Sequence, residues 1–179
     1  SAGGHILSLN FGSEEIFKNR VNGPYELRYI SISGQSYLDF SFYPFNTQFY
    51  NFNSFDPPNA WLTGNYSDFG EDTDRNGLFE YLAIEAGIQV NGSGTYDLSG
   101  ILSGNISGEF ISFTSANTTI ILNPGSHIIK LRFSGLKILN GGVDGPYIFS
   151  NVALFDKSRN VLLESQQGAH ITRAYKYTD

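Results

Sequence analysis

The sequence has no cysteine, no methionine and a single tryptophan. Without cysteine, disulfides and thiolate metal sites are excluded. Charge is scarce too, at 16% of 179 residues against about 25% in an ordinary globular chain. The 11 Lys and Arg form no cluster, and the net charge is -6 with a pI near 4.9. Nucleic acid is therefore excluded as a partner, since nothing here replaces phosphate counterions. No apolar run approaches the roughly 18 residues of a spanning helix, so no membrane span is expected. No GxSxG elbow, HExxH, P-loop or dinucleotide fingerprint occurs, so the chain is expected not to be an enzyme.

The missing methionine and the opening Ser1-Ala2-Gly3-Gly4 fit a mature terminus left by leader removal. Four N-x-S/T sequons, at Asn65, Asn91, Asn105 and Asn117, are candidate glycosylation sites and point the same way, to an extracellular protein, secreted or on the cell surface. What is plentiful is Gly (20), Phe (15) and Tyr (11), a mixture suited to an all-β chain with many turns.

The chain also repeats itself. Residues 3–25, GGHILSLNFGSEEIFKNRVNGPY, align without a gap on residues 125–147, GSHIIKLRFSGLKILNGGVDGPY, at an offset of 122 with ten of 23 positions identical. A second echo relates Thr63–Tyr66 to Thr172–Tyr175. The expected organisation is a half-copy over 1–66 with an aromatic-rich insertion, then a complete β-sandwich over 67–179. In each copy a strand face alternates, His5, Leu7, Leu9 and Phe11 in the first, His127, Ile129, Leu131 and Phe133 in the second. The two His are read as structural, and His170 has no acidic partner nearby in sequence. Gly-Pro turns follow at Gly23-Pro24 and Gly145-Pro146, and strands are expected at 26–33 and 148–155. Further strands are expected at 79–90, 94–102, 109–114 and 119–122, with no helical stripe. Short strands between regular turns indicate an antiparallel sandwich, jelly-roll or immunoglobulin-like.

The sharpest local signal is GEDTDRNGLFEYLAIEAGIQV, residues 70–90. Asp72, Asp74 and Asn76 alternate, Gly77 permits a bend, Leu78 offers a carbonyl and Glu80 a carboxylate. Hard oxygen donors on a tight loop suit Ca²⁺. The loop begins like an EF-hand, but its twelfth position is Ala83 and period-two alternation follows instead of a helix. Asp68 and Glu71 are nearby candidates for the missing ligands.

Residues 37–55 carry nine aromatics. Tyr43, Phe45, Phe49, Tyr50, Phe52 and, further on, Trp61 are candidates for an interface with another subunit or for stacking on a glycan.

Taken together, DTDRNGLFEYLAIE, GTYDLSG, GSHIIKLRFSG and GGVDGPYIFSNVALFD resemble a repeated module of secreted archaeal and bacterial surface proteins and some exported proteases. The resemblance covers about 69–179 well and 3–33 partially. It implies an exported, calcium-binding β-sandwich and no catalytic residue. The half-copy is what a subunit completed by a neighbour would show. The expected function is a calcium-stabilised structural subunit that self-associates by strand or edge complementation into a filament or surface layer. The alternative is a carbohydrate-binding module of a secreted hydrolase.

Overall fold

A computed structural model describes residues 6, 8–34, 37–41 and 45–179, without the side chains of 32–41. It divides into two compact units, Ser1–Pro58 and Asn59–Asp179. The division lies ahead of the 66/67 boundary expected from the repeat, because a continuous strand runs through that position.

The first unit holds a short helix, α1 (Ser13–Asn19), and four strands, β1 (Glu26–Leu27), β2 (Ile30–Gly34), β3 (Tyr37–Ser41) and β4 (Phe45–Asn46). β1 pairs antiparallel with β4 and β2 with β3, so the four strands nest as one interrupted hairpin. A 3₁₀ turn follows at Phe52–Ser54.

The second unit contains β5 (Ala60–Glu71), β6 (Tyr81–Val90), β7 (Gly94–Ile106), β8 (Glu109–Leu122), β9 (Gly125–Ser134), the helix α2 (Gly135–Gly141), β10 (Ile148–Asp156) and β11 (Val161–Ile171). One sheet runs β5-β6-β9 and the other β11-β10-β7-β8, every neighbour antiparallel. In chain order this is ABE against GFCD, an immunoglobulin-like sandwich and not a jelly roll. A further mark of that class is the tyrosine corner, where Tyr147 Oη, just before the sixth strand, donates to Val143 O at 2.9 Å.

The core follows the expected alternation. Leu82, Ile84, Ala86, Ile88 and Val90 of β6 are buried, with Tyr96, Leu98 and Leu102 of β7, Ile129, Leu131 and Phe133 of β9, and Phe149, Val152 and Leu154 of β10. His127 sits only at the rim, its Nε2 2.8 Å from Asn123 O; its repeat partner His5 lies outside the described residues. Gly100 is obligatory because a Cβ there would lie 2.1 Å from the Phe149 ring. Gly100→Ala is expected to cost about 1–3 kcal/mol by overpacking, measurable by urea denaturation.

Several sequence expectations are corrected. Residues 109–122 form one strand, not two, since polar Ser115 and Asn117 stay in register opposite Ile101 and Ser99 of β7. β5 and β11 carry less regular apolar alternation, so the sequence pattern does not mark them as strands. The two helices leave no sequence signature either, since seven residues make fewer than two turns and show no stripe. The aromatic-rich segment is not an insertion, because it supplies the return strands β3 and β4 of the first unit's hairpin. Among the described residues no helix is long and apolar enough to cross a membrane.

Candidate metal centre

The acidic loop occupies 72–80, between β5 and the core strand β6. Its backbone is shaped by two left-handed residues, Arg75 (φ 63°) and Gly77 (φ 91°). Carboxylates accept the loop's own N–H groups. Gly77 N donates to Asp72 Oδ2 at 2.9 Å, and Asn76 N lies 3.2 Å from Asp72 Oδ1 and 3.1 Å from Asp74 Oδ1. Glu80 Oε2 accepts from Thr73 N at 2.5 Å and Thr73 Oγ1 at 2.7 Å. These bonds hold the Glu80 carboxyl below the usual range. The loop is tied down at its end, where Phe79 N donates to Asp179 O and Gly135 N to Glu80 O.

One carboxylate oxygen each from Asp72, Asp74 and Glu80 lie within 4.8 Å of one another. That spacing and all-oxygen chemistry fit a hard divalent cation, and the Asp72 and Asp74 oxygens each keep a lone pair after accepting one N–H. Asn76 is held within the loop, its Oδ1 accepting Leu78 N at 2.8 Å with one lone pair to spare and its Nδ2 donating to Asp74 Oδ2 at 3.0 Å. The side chain of Leu78 points to solvent.

The two supplementary ligands suggested by sequence proximity are engaged elsewhere. Glu71 Oε1 and Oε2 meet Lys130 Nζ at 2.8 Å and Arg132 Nε at 2.5 Å. Arg132 and then Lys130 lower its pKa by these bonds. Asp68, whose side chain is 4% exposed, is the centre of a latch between β5 and the chain beyond β11. Its Oδ1 is 2.7 Å from His170 Nε2, and its Oδ2 accepts from Tyr175 Oη at 2.7 Å and Arg173 Nε at 3.2 Å. Arg173 Nη2 also donates to the Asp68 carbonyl. Burial alone would raise the Asp68 pKa, but the bonds from Tyr175, His170 and Arg173 outweigh it and hold the carboxyl below its ordinary value. Further along the same seam Leu62 N donates to Glu164 Oε2 at 2.7 Å and Tyr66 Oη to Gln166 Oε1 at 2.9 Å. Burial, then the Glu164 charge, pushes the Tyr66 hydroxyl up to about 12. No local pattern marks this latch, because 102 to 107 residues separate its partners.

The remaining candidates divide. Asn65, Asn91, Asn105 and Asn117 are all exposed. Asn105 Oδ1 additionally caps its turn by accepting Gly108 N at 2.8 Å. Phe45 and Phe49 are exposed in the first unit. Phe52 packs edge-on against Phe17 at 5.8 Å and Tyr50 against Phe55 at 5.9 Å, so these two serve local packing. Trp61 belongs to the second unit, half-buried on β5. Tyr43 lies outside the described residues.

Residues 69–172 match the family model described as "Domain of unknown function (DUF4785) C-terminal domain". No curated protein matches the sequence. Among solved structures, the chain is similar to the crystal structure of a DUF4785 family protein from Legionella pneumophila subsp. pneumophila str. Philadelphia 1. The identity is 14% over 83% of this chain, with a TM-score of 0.49. This chain covers 35% of that protein's length.

Proposed function

This chain belongs to the DUF4785 family, and from that premise we propose that it is a non-enzymatic, exported structural protein whose β-sandwich is stabilised by Ca²⁺ in the 72–80 loop. It assembles by complementation of an incomplete sandwich, as a component of an extracellular filament or surface layer. The observation that carries the metal reading is the convergence of Asp72, Asp74 and Glu80 within 4.8 Å on a loop already shaped by its own N–H groups. The Asn76 amide, the Leu78 carbonyl and water would complete the shell. A cation there neutralises three carboxylates at the head of β6, the central strand of its sheet. The structural reading is supported by the latch, where the polar side chains of His170, Asp68 and Tyr175 are spent on one another.

Saturating Ca²⁺ at about 100 times its Kd should add about 2.7 kcal/mol. The corresponding rise in Tm of the second unit is on the order of 10 °C, reversed by EDTA. Trp61, the single Trp, reports that unit's unfolding. Asp74→Asn combined with Glu80→Gln should abolish most of the rise. A Tm indifferent to both Ca²⁺ and EDTA overturns the metal reading.

A further inference from the structure

The two units are made of the same parts, and their hydrogen bonds coincide residue by residue. α1 and α2 begin and end 122 residues apart, and both are closed by a left-handed residue, Arg20 and Gly142. Gly23 N donates to Tyr50 O and Gly145 N to Tyr175 O, both at 2.8 Å. Tyr25 N donates to Thr47 Oγ1 and Tyr147 N to Thr172 Oγ1, both at 2.9 Å. Tyr25 Oη reaches Val21 O as Tyr147 Oη reaches Val143 O. Asn22 Oδ1 accepts Phe52 N and Asp144 Oδ1 accepts Tyr177 N. The hairpins share a register. Glu26 pairs with Asn46 as Ile148 pairs with Ile171, and Ile30 with Ser41 as Val152 with Gln166. Thr47–Tyr50, and not Thr63–Tyr66, is thus the counterpart of Thr172–Tyr175.

The first unit therefore holds counterparts of α2, β10 and β11, with 3–12 in the sequence place of β9. Among its described residues nothing corresponds to β5, β6, β7 or β8, and residues 8–12 belong to no strand. Burial records the same deficit. Leu131 and Phe133 are 1% and 0% exposed, while their counterparts Leu9 and Phe11 are 55% and 69% exposed. In the second unit β9 pairs with β6 alone, so the strand missing beside residues 8–12 is of the β6 type.

A second copy of residues 1–179 does not remedy this by donating strands. Each copy brings one β5–β8 half and two halves of the β9–β11 kind, so any exchange among copies leaves one half uncovered per chain.

We propose that the apolar face bearing Leu9 and Phe11 is the docking surface for a four-stranded half-sandwich of the β5–β8 type, supplied from outside residues 1–179. The complementing segment pairs a β6-type strand with residues 8–12, and faces Leu9 and Phe11 with a row of alternating aliphatic side chains. The inference rests on the complementation reading and not on the metal.

The test joins a copy of residues 59–122 ahead of Ser1 in the full chain and follows amide hydrogen exchange in EDTA, so that calcium binding has no part in the outcome. Amides of Asn10, Phe11 and Gly12 should exchange at least about 100-fold more slowly than in the unmodified chain. Ile84→Asp in the added copy alone should remove that protection, with the protection of the original β6 and β9 in the same sample showing that the chain is folded. Unchanged exchange at residues 10–12 in the extended chain overturns the proposal. So does protection in the unmodified chain that grows with concentration, which would make a second copy the occupant. A second variant, Phe11→Asp in the unmodified chain, should leave the Tm unaltered because the face is bare. A fall in Tm would show that it is already covered, and would also overturn the proposal.

Discussion

Phe133→Ala should lower the stability of the second unit by about 3–5 kcal/mol, while Phe11→Ala, the same change at the same repeat position, should alter stability by less than about 0.5 kcal/mol. Phe133 is fully buried between the sheets and meets Phe149 edge-to-face at 5.9 Å. Removing the ring loses its transfer energy and leaves a cavity that strands β6 and β10 cannot close without breaking their ladders. Phe11 is 69% exposed, so truncation there forfeits little burial. Urea denaturation followed by Trp61 fluorescence for Phe133→Ala, and by Tyr fluorescence for Phe11→Ala, measures both. Equal losses at the two positions would contradict the burial difference between the copies.

The second large effect is expected at the latch. Asp68→Ala should cost about 2–3 kcal/mol, because it strips a nearly buried carboxylate from Tyr175, His170 and Arg173 and unties β5 from the chain beyond β11. The figure stays below the upper range for buried pairs, since the Arg173 side chain is 67% exposed and recovers its hydration. The folded-state pKa of Asp68 is depressed, so its contribution is complete above the unfolded carboxyl pKa near 3.8 and is lost as pH falls through the folded value. The stability gap between wild type and Asp68→Asn should therefore be flat from pH 7 to about 4 and narrow below it. A gap that widens on acidification would reverse the assigned sign. Measuring both proteins at several pH values by chemical denaturation decides it.

How much was legible in advance depended on the range of the interaction. The alternation of Leu82, Ile84, Ala86, Ile88 and Val90 is a local pattern of period two, and it marked β6 and its buried face directly. The acidic loop was legible for the same reason, since Asp72, Asp74 and Glu80 lie within nine residues and the bend at Gly77 brings them together. The 122-residue offset was also visible, because identity survives at the turns and core positions that fix the chain's path. Polar Ser115 and Asn117 in β8, by contrast, resemble a loop, and only pairing with β7 makes them part of a strand. Letters alone pair Thr63–Tyr66 with Thr172–Tyr175, while the hydrogen bonds of Thr47 and Tyr50 identify the true counterpart.

The sequence by itself determined the all-β class, the repeat, the main core strands and the loop where oxygen donors gather, since each is written in contacts between near neighbours along the chain. Only the tertiary structure decided the immunoglobulin-like strand order, the engagement of Asp68 and Glu71 away from the loop, and the contrast between buried Phe133 and bare Phe11. Those depend on which distant strands lie side by side, and a residue's identity does not specify what covers it.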